Sequence, residues 1–214
     1  MAIDLVRTGY GMDNTEAVSA TKNALREAFV DRRDNLDADA ARRASSRVCR
    51  RLDEVGEIGS TERIAGYMSR GNEIDLRPWL SDVAGRGVDV LLPRVTGPGQ
   101  MEFCVVDDFD DLEPGAFGIE EPVGEASSID DVEVFLVPGL AFDRQGTRLG
   151  FGMGFYDRAL PAVGDAVAVG IGHHWQLVDD ELPRQSHDRP MDLIVTDRDI
   201  HNVAPGDSDE ERGA

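Results

Sequence analysis

Apolar positions recurring every third or fourth residue mark the first quarter of the chain as helical. Ala17, Ala20, Ala24, Leu25 and Ala28 fall on one stripe, and Asn14 or Thr15 can cap its start. The run Asp34-Asn35-Leu36-Asp37 breaks the pattern, which resumes as a second helix over about residues 38–55. The many Arg and Asp of both helices read as solvated faces.

After Gly59 the period shortens. Residues 63–68 read as a buried strand, 74–84 as a helix, and 88–92 as a strand stopped by Pro93. A strand over 101–106 leads into an acidic turn at 107–111, and 132–137 is a strong strand ended by Pro138-Gly139. A helix begins near Gly154 and runs through Leu160, and strands at 166–171 and 193–195 follow. Strands alternating with helices imply an α/β fold, a layered and largely parallel sheet flanked by helices with an N-terminal helical pair. The expected layout is one domain over 14–203, with 1–13 and 204–214 as flexible termini. No internal repeat is present.

Composition narrows the class. A chain of 214 residues can bury one sizeable core, and no apolar run approaches the length of a transmembrane helix. The first thirteen residues lack the basic and apolar regions of a signal peptide, so a cytoplasmic protein is expected. Cys49 and Cys104 lie far apart without metal-ligand spacing; they read as reduced thiols, with a disulfide as the lesser alternative.

The charge changes the picture more. A net charge of −20 argues against a nucleic-acid partner. Asp outnumbers Glu 27 to 15, and among 22 basic residues Lys22 is the only lysine. This pattern fits a halophilic protein, since concentrated salt screens self-repulsion; an acidic protein from a GC-rich genome is the alternative. Lys22 is then conspicuous, although an exposed helix face could retain it by chance.

The chemistry concentrates between Val137 and Arg158. This segment follows a buried strand and precedes a helix, where open α/β sheets place ligands. Gly150, Gly152 and Gly154 allow backbone N–H groups to approach phosphate oxygens, Arg148 offers a planar fork, and Asp157 in the next helix can hold Mg²⁺. Taken alone, a glycine-rich turn serves close chain packing just as well.

The whole string is more specific. Pro138-Gly139-Leu140-Ala141-Phe142-Asp143, then Gly146, then Arg148-Leu149-Gly150, Gly152, and Gly154-Phe155-Tyr156-Asp157-Arg158 resembles the hallmark of the 5-formyltetrahydrofolate cyclo-ligase family. Lys22 and Arg26, Tyr67-Met68-Ser69, Glu73-Ile74-Asp75, Leu92-Pro93-Arg94-Val95, Met101, Phe103, Gln176, Leu182-Pro183, His187-Asp188 and the stretch from Met191 to Thr196 match further family positions in order, over roughly residues 18–197.

The resemblance implies an ATP- and Mg²⁺-dependent ligase. The formyl oxygen of 5-formyltetrahydrofolate attacks the γ-phosphate, N10 closes on the activated carbon, and phosphate leaves to give 5,10-methenyltetrahydrofolate. Lys22, Arg26, Arg148 and the run Leu149, Gly150, Phe151, Gly152, Met153, Gly154, Phe155 and Tyr156 are implied to contact ATP. Arg148 and Tyr156 are the implied catalytic pair. Met68, Glu73, Phe151, Gly152, Met153, Gly154 and Phe155 are implied to line the folate side, and Asp157 and Asp192 to hold Mg²⁺.

Alternatives stay open at several positions. Glu73 can cap a helix starting at Ile74, Met68 can be core, and Asp192 can make a turn hydrogen bond. His173 and His174 are adjacent and point opposite ways on a strand, so zinc is not inferred; His187 reads as a general base or a loop residue. Trp79 and Trp175 read as packing residues, with Trp175 able to border the pocket. Phe155 replaces a usual tyrosine, Leu76 a usual threonine, and Met153 a usual glycine or basic residue, which bears on the folate side. A non-catalytic or substrate-shifted nucleotide- or folate-binding paralogue is the main alternative; an isomerase or CoA-transferase of the same broad fold lacks this string. A monomer acting on small molecules, away from membranes and nucleic acid, is expected.

Overall fold

The computed structural model describes residues 14–160, 164–185 and 188–204. The expected flexible termini, apart from Ala204, and His187 lie outside the described residues. The elements in order are α1 (Asn14–Asp34), α2 (Ala38–Leu52), α3 (Gly56–Gly59), β1 (Arg63–Ala65), α4 (Arg77–Gly85), β2 (Asp89–Gly97) and β3 (Gln100–Val105). Short strands β4 (Glu113–Pro114), β5 (Glu120–Glu121) and β6 (Ala126–Ser127) precede β7 (Val134–Pro138), β8 (Ala141–Asp143), β9 (Arg148–Leu149) and α5 (Phe155–Ala159). Then come β10 (Val167–Gly172), β11 (Leu177–Val178), β12 (Leu193–Thr196) and β13 (Ile200–Asn202).

The main sheet runs β13-β12-β10-β7-β1-β2-β3-β6. Its five inner strands are parallel, while β13, β3 and β6 pair antiparallel at the edges. The apolar runs of the sequence thus become strands covered on both faces, as parallel sheets require. Along β7, Val134 and Leu136 join the core beneath α2 and α4, while Phe135 and Val137 join the core on the other face.

Three expectations need correction. First, β2 passes through Pro93. Val106 donates to Val90 O, so Pro93, opposite Phe103, falls at a position whose N–H would point away from β3. β1 has ended at Ala65 on that side, so the missing donor breaks no ladder bond. Second, α4 starts at Arg77, not Ile74, with Pro78 in its first turn. A start at Ile74 would set the proline ring in the interior against the carbonyl four residues back. Third, the alanine stripe of α1 is not its buried face: Ala20, Ala24 and Ala28 are exposed. Alanines favour helix but have little area to bury. Lys22, Leu25, Arg26, Phe29 and Arg33 turn inward instead.

That inward face docks on a second sheet, β11-β8-β9, which is hidden inside what reads as a loop. Leu25 packs with Leu140, Ala141, Leu149 and Leu182. The fully buried Asp143 fixes the β8–β9 turn. One of its oxygens accepts from Gln145 N at 3.0 Å and Thr147 N at 2.8 Å, and the other from Leu182 N at 2.9 Å. Both cysteines are free thiols.

Candidate active site

β7 ends at Pro138, and the chain then folds through the β8–β9 hairpin into residues 150–154 and α5. This puts the glycine-rich segment beyond the carboxyl ends of the parallel strands, the usual ligand position of such sheets. Gly152 (φ 93°) and Gly154 (φ 68°) adopt left-handed backbone that side chains disfavour. Space is the second reason for glycine. A Cβ at Gly150 would lie 2.7 Å from Arg148 Nη1, one at Gly152 3.1 Å from Arg26 Cζ, and one at Gly154 2.8 Å from Arg158 Nη1. Each glycine admits one guanidinium.

The cations around the segment are individually held. Arg26 Nε donates to Gly150 O at 2.9 Å, and its Nη1 to Asn23 Oδ1 at 2.7 Å. One turn earlier on α1, the buried Lys22 ammonium sits 3.1 Å from Asp188 Oδ2. Arg148 pairs with Asp157, reaches Pro138 O at 3.3 Å, and lies 5.4 Å over the Tyr156 ring. The Tyr156 hydroxyl is shielded and has no hydrogen-bond partner among the described residues. Burial raises its pKa, against the opposing pull of Arg148, so it is a neutral phenol able to donate.

Two hollows flank the segment. One, of about 360 Å³, is walled by Tyr67, Met68, Pro93, Val95, Met101, Phe117, Ile119, Phe155 and Tyr156, with Arg70, Glu73, Arg148 and Asp157 among its polar groups. The other, a cleft of about 390 Å³, runs along α1 between Arg26, Glu27, Val30, Asp31, Leu140 and Phe151. Phe151 lines both. At the mouth of the first, Phe117 is exposed and meets Phe155 edge-on at 6.4 Å.

Glu73 does not cap α4. Its buried carboxylate accepts from Arg33 Nη1 at 2.7 Å and from Arg70 N at 2.8 Å. Burial raises its pKa, with the Arg33 cation pulling the other way.

The model of the 5-formyltetrahydrofolate cyclo-ligase family matches residues 18–197, most of the chain. The chain belongs to that family. The 5-formyltetrahydrofolate cyclo-ligase of Mycolicibacterium smegmatis is 31% identical over 186 residues, covering 82% of this chain and 93% of that protein. The Escherichia coli K12 protein of the same name is 29% identical over 172 residues, covering 77% of this chain and 94% of that one. The solution structure of Aquifex aeolicus 5,10-methenyltetrahydrofolate synthetase superposes with a TM-score of 0.77 at 36% identity, covering 89% of this chain and 96% of that one. Membership makes this chain one of a family of ATP-dependent cyclo-ligases, and the mixed α/β architecture agrees with its structural neighbours.

The family motifs thus converge in space, with one exception. Arg26, Met68, Glu73, Arg148 and residues 150–157 line the two hollows, and Lys22 stands one turn of α1 before Arg26. Asp192 does not join them. Its carboxylate accepts from Ala168 N at 2.7 Å and from Arg189 Nη2 at 3.3 Å, at the amino ends of β10 and β12. Asp157 is at the opposite edge, beside the carboxyl end of β7. Ala168 is level with Phe135, three residues of β7 before Pro138. Arg148 reaches the Pro138 carbonyl while also bonding Asp157, so at about 3.3 Å per residue the two edges are about 10 Å apart along the strands. The pairing of Asp157 with Asp192 is therefore corrected: the turn hydrogen bond, its alternative, is what Asp192 makes. A motif read along the chain carries no information on which end of a strand it borders.

Among the described residues, no three His, Cys, Asp or Glu side chains gather around a metal position. Mg²⁺ uses one or two carboxylates together with substrate phosphates, and Asp157 is a carboxylate lining the same cavity as the glycine-rich segment. His173 and His174 are held by structural contacts. His173 is buried with Nε2 2.8 Å from Asn72 O, and His174 Nδ1 lies 2.9 Å from Asp197 Oδ1. Trp79 packs in the core and bonds Asp53, while Trp175 stacks between Phe29 and His173.

Two residues of the site carry no role in the sequence reading. Gln176 is matched only by its order along the chain. Buried, it donates to Gly139 O at 2.8 Å and Leu140 O at 2.9 Å and accepts from His173 N, so it fixes the exit of β7. Arg33 is grouped with the solvated arginines, yet it is only 3% exposed. Its signal is phase: eleven residues beyond Lys22 are about three helical turns, the same face.

Proposed function

We propose that this chain closes 5-formyltetrahydrofolate to 5,10-methenyltetrahydrofolate at the expense of ATP, releasing ADP and phosphate. The supporting observation is the shared wall: Phe151 and its flanking glycines divide a cleft beside the cations of α1 from a largely apolar cavity. A nucleotide in the cleft and a pterin in the cavity would meet across that segment. This suits a reaction in which an oxygen of one substrate must reach the γ-phosphorus of the other.

In this reading Lys22 and Arg26 hold the triphosphate, aided by backbone N–H groups of residues 150–154. Arg148 stands at the junction, and its charge offsets the negative charge spreading over the transferred phosphoryl group. Asp157 would hold a Mg²⁺ ion brought in with the triphosphate, and that ion, when bound, would supply positive charge that lowers repulsion toward the incoming formyl oxygen. Glu73 accepts from the N–H edge of the pterin, with Met68 and Phe155 against its faces. The Tyr156 phenol, kept neutral, donates to the formamide or its phosphorylated form. Phosphorylation turns a poor leaving oxygen into a good one; N10 then bonds to the formyl carbon and gives up its proton to the departing phosphate, and the C–O bond breaks with its electron pair leaving on that phosphate.

The same reading sets a monomer in a salt-rich cytoplasm. The support is an excess of short carboxylates and a single lysine. No helix among the described residues is long and apolar enough to cross a membrane.

The test is direct. With Mg·ATP and 5-formyltetrahydrofolate in molar KCl, the near-ultraviolet absorbance of the methenyl product should rise in an ATP-dependent manner. No rise from protein that is folded in that salt would overturn the proposal.

A further inference from the structure

Arg33 touches the wall that the two hollows share. Its guanidinium is 3% exposed, and Nη1 donates to Glu73 Oε1 at 2.7 Å. Its Cζ lies 5.0 Å over the ring of Phe151, the one residue common to both hollows. The Nε–H is buried without a hydrogen-bond partner, and the Asp34 carboxylate stands 4.0 Å away. A buried guanidinium with an unmet donor is costly to keep. Its cover is a side chain of the glycine-rich segment: Phe151 is 41% exposed and lies between two glycines, so it can move.

We propose that Arg33 is a positioning residue that couples the two substrate sites, because Phe151 seated on its guanidinium keeps it dry and locked onto Glu73. A nucleotide in the cleft presses on the segment that carries Phe151, and Phe151 holds Arg33. Arg33 then fixes the carboxylate that faces the other cavity. The path runs equally in reverse, since coupling between two sites is reciprocal. Only arginine fits this role, because it has a planar face for the ring and a fork for the carboxylate; lysine offers a point charge alone. The inference rests on the functional reading above, in which the cleft takes ATP and the cavity takes the folate.

The experiment measures 5-formyltetrahydrofolate affinity calorimetrically in molar KCl, with and without a non-hydrolysable Mg·ATP analogue. The native protein should bind the folate more tightly when the analogue is present, within the range of about 5- to 150-fold usual for such coupling. Arg33→Lys should bring that ratio close to one, and so should Phe151→Leu, a change at an exposed side chain that leaves the fold alone. The double variant should lower the ratio no further. A second readout is the acid limb of kcat/KM for the folate. The charged and titratable groups facing Glu73 are Arg33 on α1, Arg70 in its own loop, and the phenols Tyr67 and Tyr156. Arg33→Met removes the main cation, so the limb should move to higher pH, and Arg33→Lys should restore part of the shift. A native ratio of one, or a ratio unchanged in both single variants, overturns the coupling while the ligase reading stands. A folded native protein that binds neither ligand overturns both.

Discussion

Replacing Lys22 by alanine removes the only lysine and the cation nearest Arg26 on the inward face of α1. The Lys22 ammonium is 3.1 Å from Asp188, and both side chains are 11% exposed, so solvent screens this pair little. A charge-assisted hydrogen bond to a phosphate oxygen contributes about 1.5–3 kcal/mol, and about 1.4 kcal/mol is tenfold in affinity. The KM for ATP should therefore rise by about ten- to a hundredfold. The variant also leaves the Asp188 carboxylate facing the phosphates. At about 6 Å and an effective dielectric near 20, that repulsion is about 3 kcal/mol, reduced in molar salt where the Debye length is about 3 Å. Lys22→Ala/Asp188→Asn should accordingly recover part of the loss. Initial rates across ATP concentrations, at saturating folate and constant KCl, separate these values, and thermal melts check the fold. A KM for ATP within twofold of native in Lys22→Ala, with an unchanged melt, would refute a role for the ammonium at the phosphates. A double variant worse than the single would refute the repulsion argument.

Three further outcomes are expected. Gly152→Ala must strain backbone at φ 93° and displace Arg26; the KM for ATP should rise about tenfold with a stability loss of about 1 kcal/mol from the strained backbone, and an unaltered KM would contradict the space argument. Asp157→Asn should raise the Mg²⁺ needed for half-maximal rate, whereas Asp192→Asn should leave it unchanged and cost about 1 kcal/mol in urea unfolding; the reverse pattern would restore Asp192 to the metal. Burial raises the Asp197 pKa, but its bonds from the His174 backbone and ring outweigh this and hold it below its ordinary value of 3.8. Its contribution to stability is thus present above that value and lost as pH falls through the lower, folded one. Urea midpoints followed from about pH 6 to about pH 3 should fall less steeply in Asp197→Asn than in the native protein, and equal slopes would contradict this.

What could be read without coordinates follows the strength of each local signal. Residues 134–137, 167–171 and 193–195 are runs buried on both faces, so hydrophobicity alone marks them as inner strands. β8 and β9 are three and two residues long, too short for a periodic signal, and a buried Asp143 looks polar in sequence although it organises a turn. The ligand-facing string is legible through its order and length, whereas the spatial reason for Gly152 is not: it depends on Arg26, which is more than a hundred residues away. Arg33 was lost among its neighbours because an arginine-rich helix gives the same composition whether one arginine is buried or none. The position of Asp192 is invisible in the sequence because order along the chain says nothing about sheet edges.

The inward face of α1 also acts as a ruler. Lys22, Arg26 and Arg33 are set along one helix at a rise of about 1.5 Å per residue, which spreads the three cations over about 16 Å. Adding one residue between them would turn everything beyond it by about 100° and swing the later cations away from their partners together. Length changes in relatives of this chain should therefore collect in the turn after Asp34 and spare the helix between Lys22 and Arg33. The spacing of these residues is then a stricter requirement than the identity of the alanines around them.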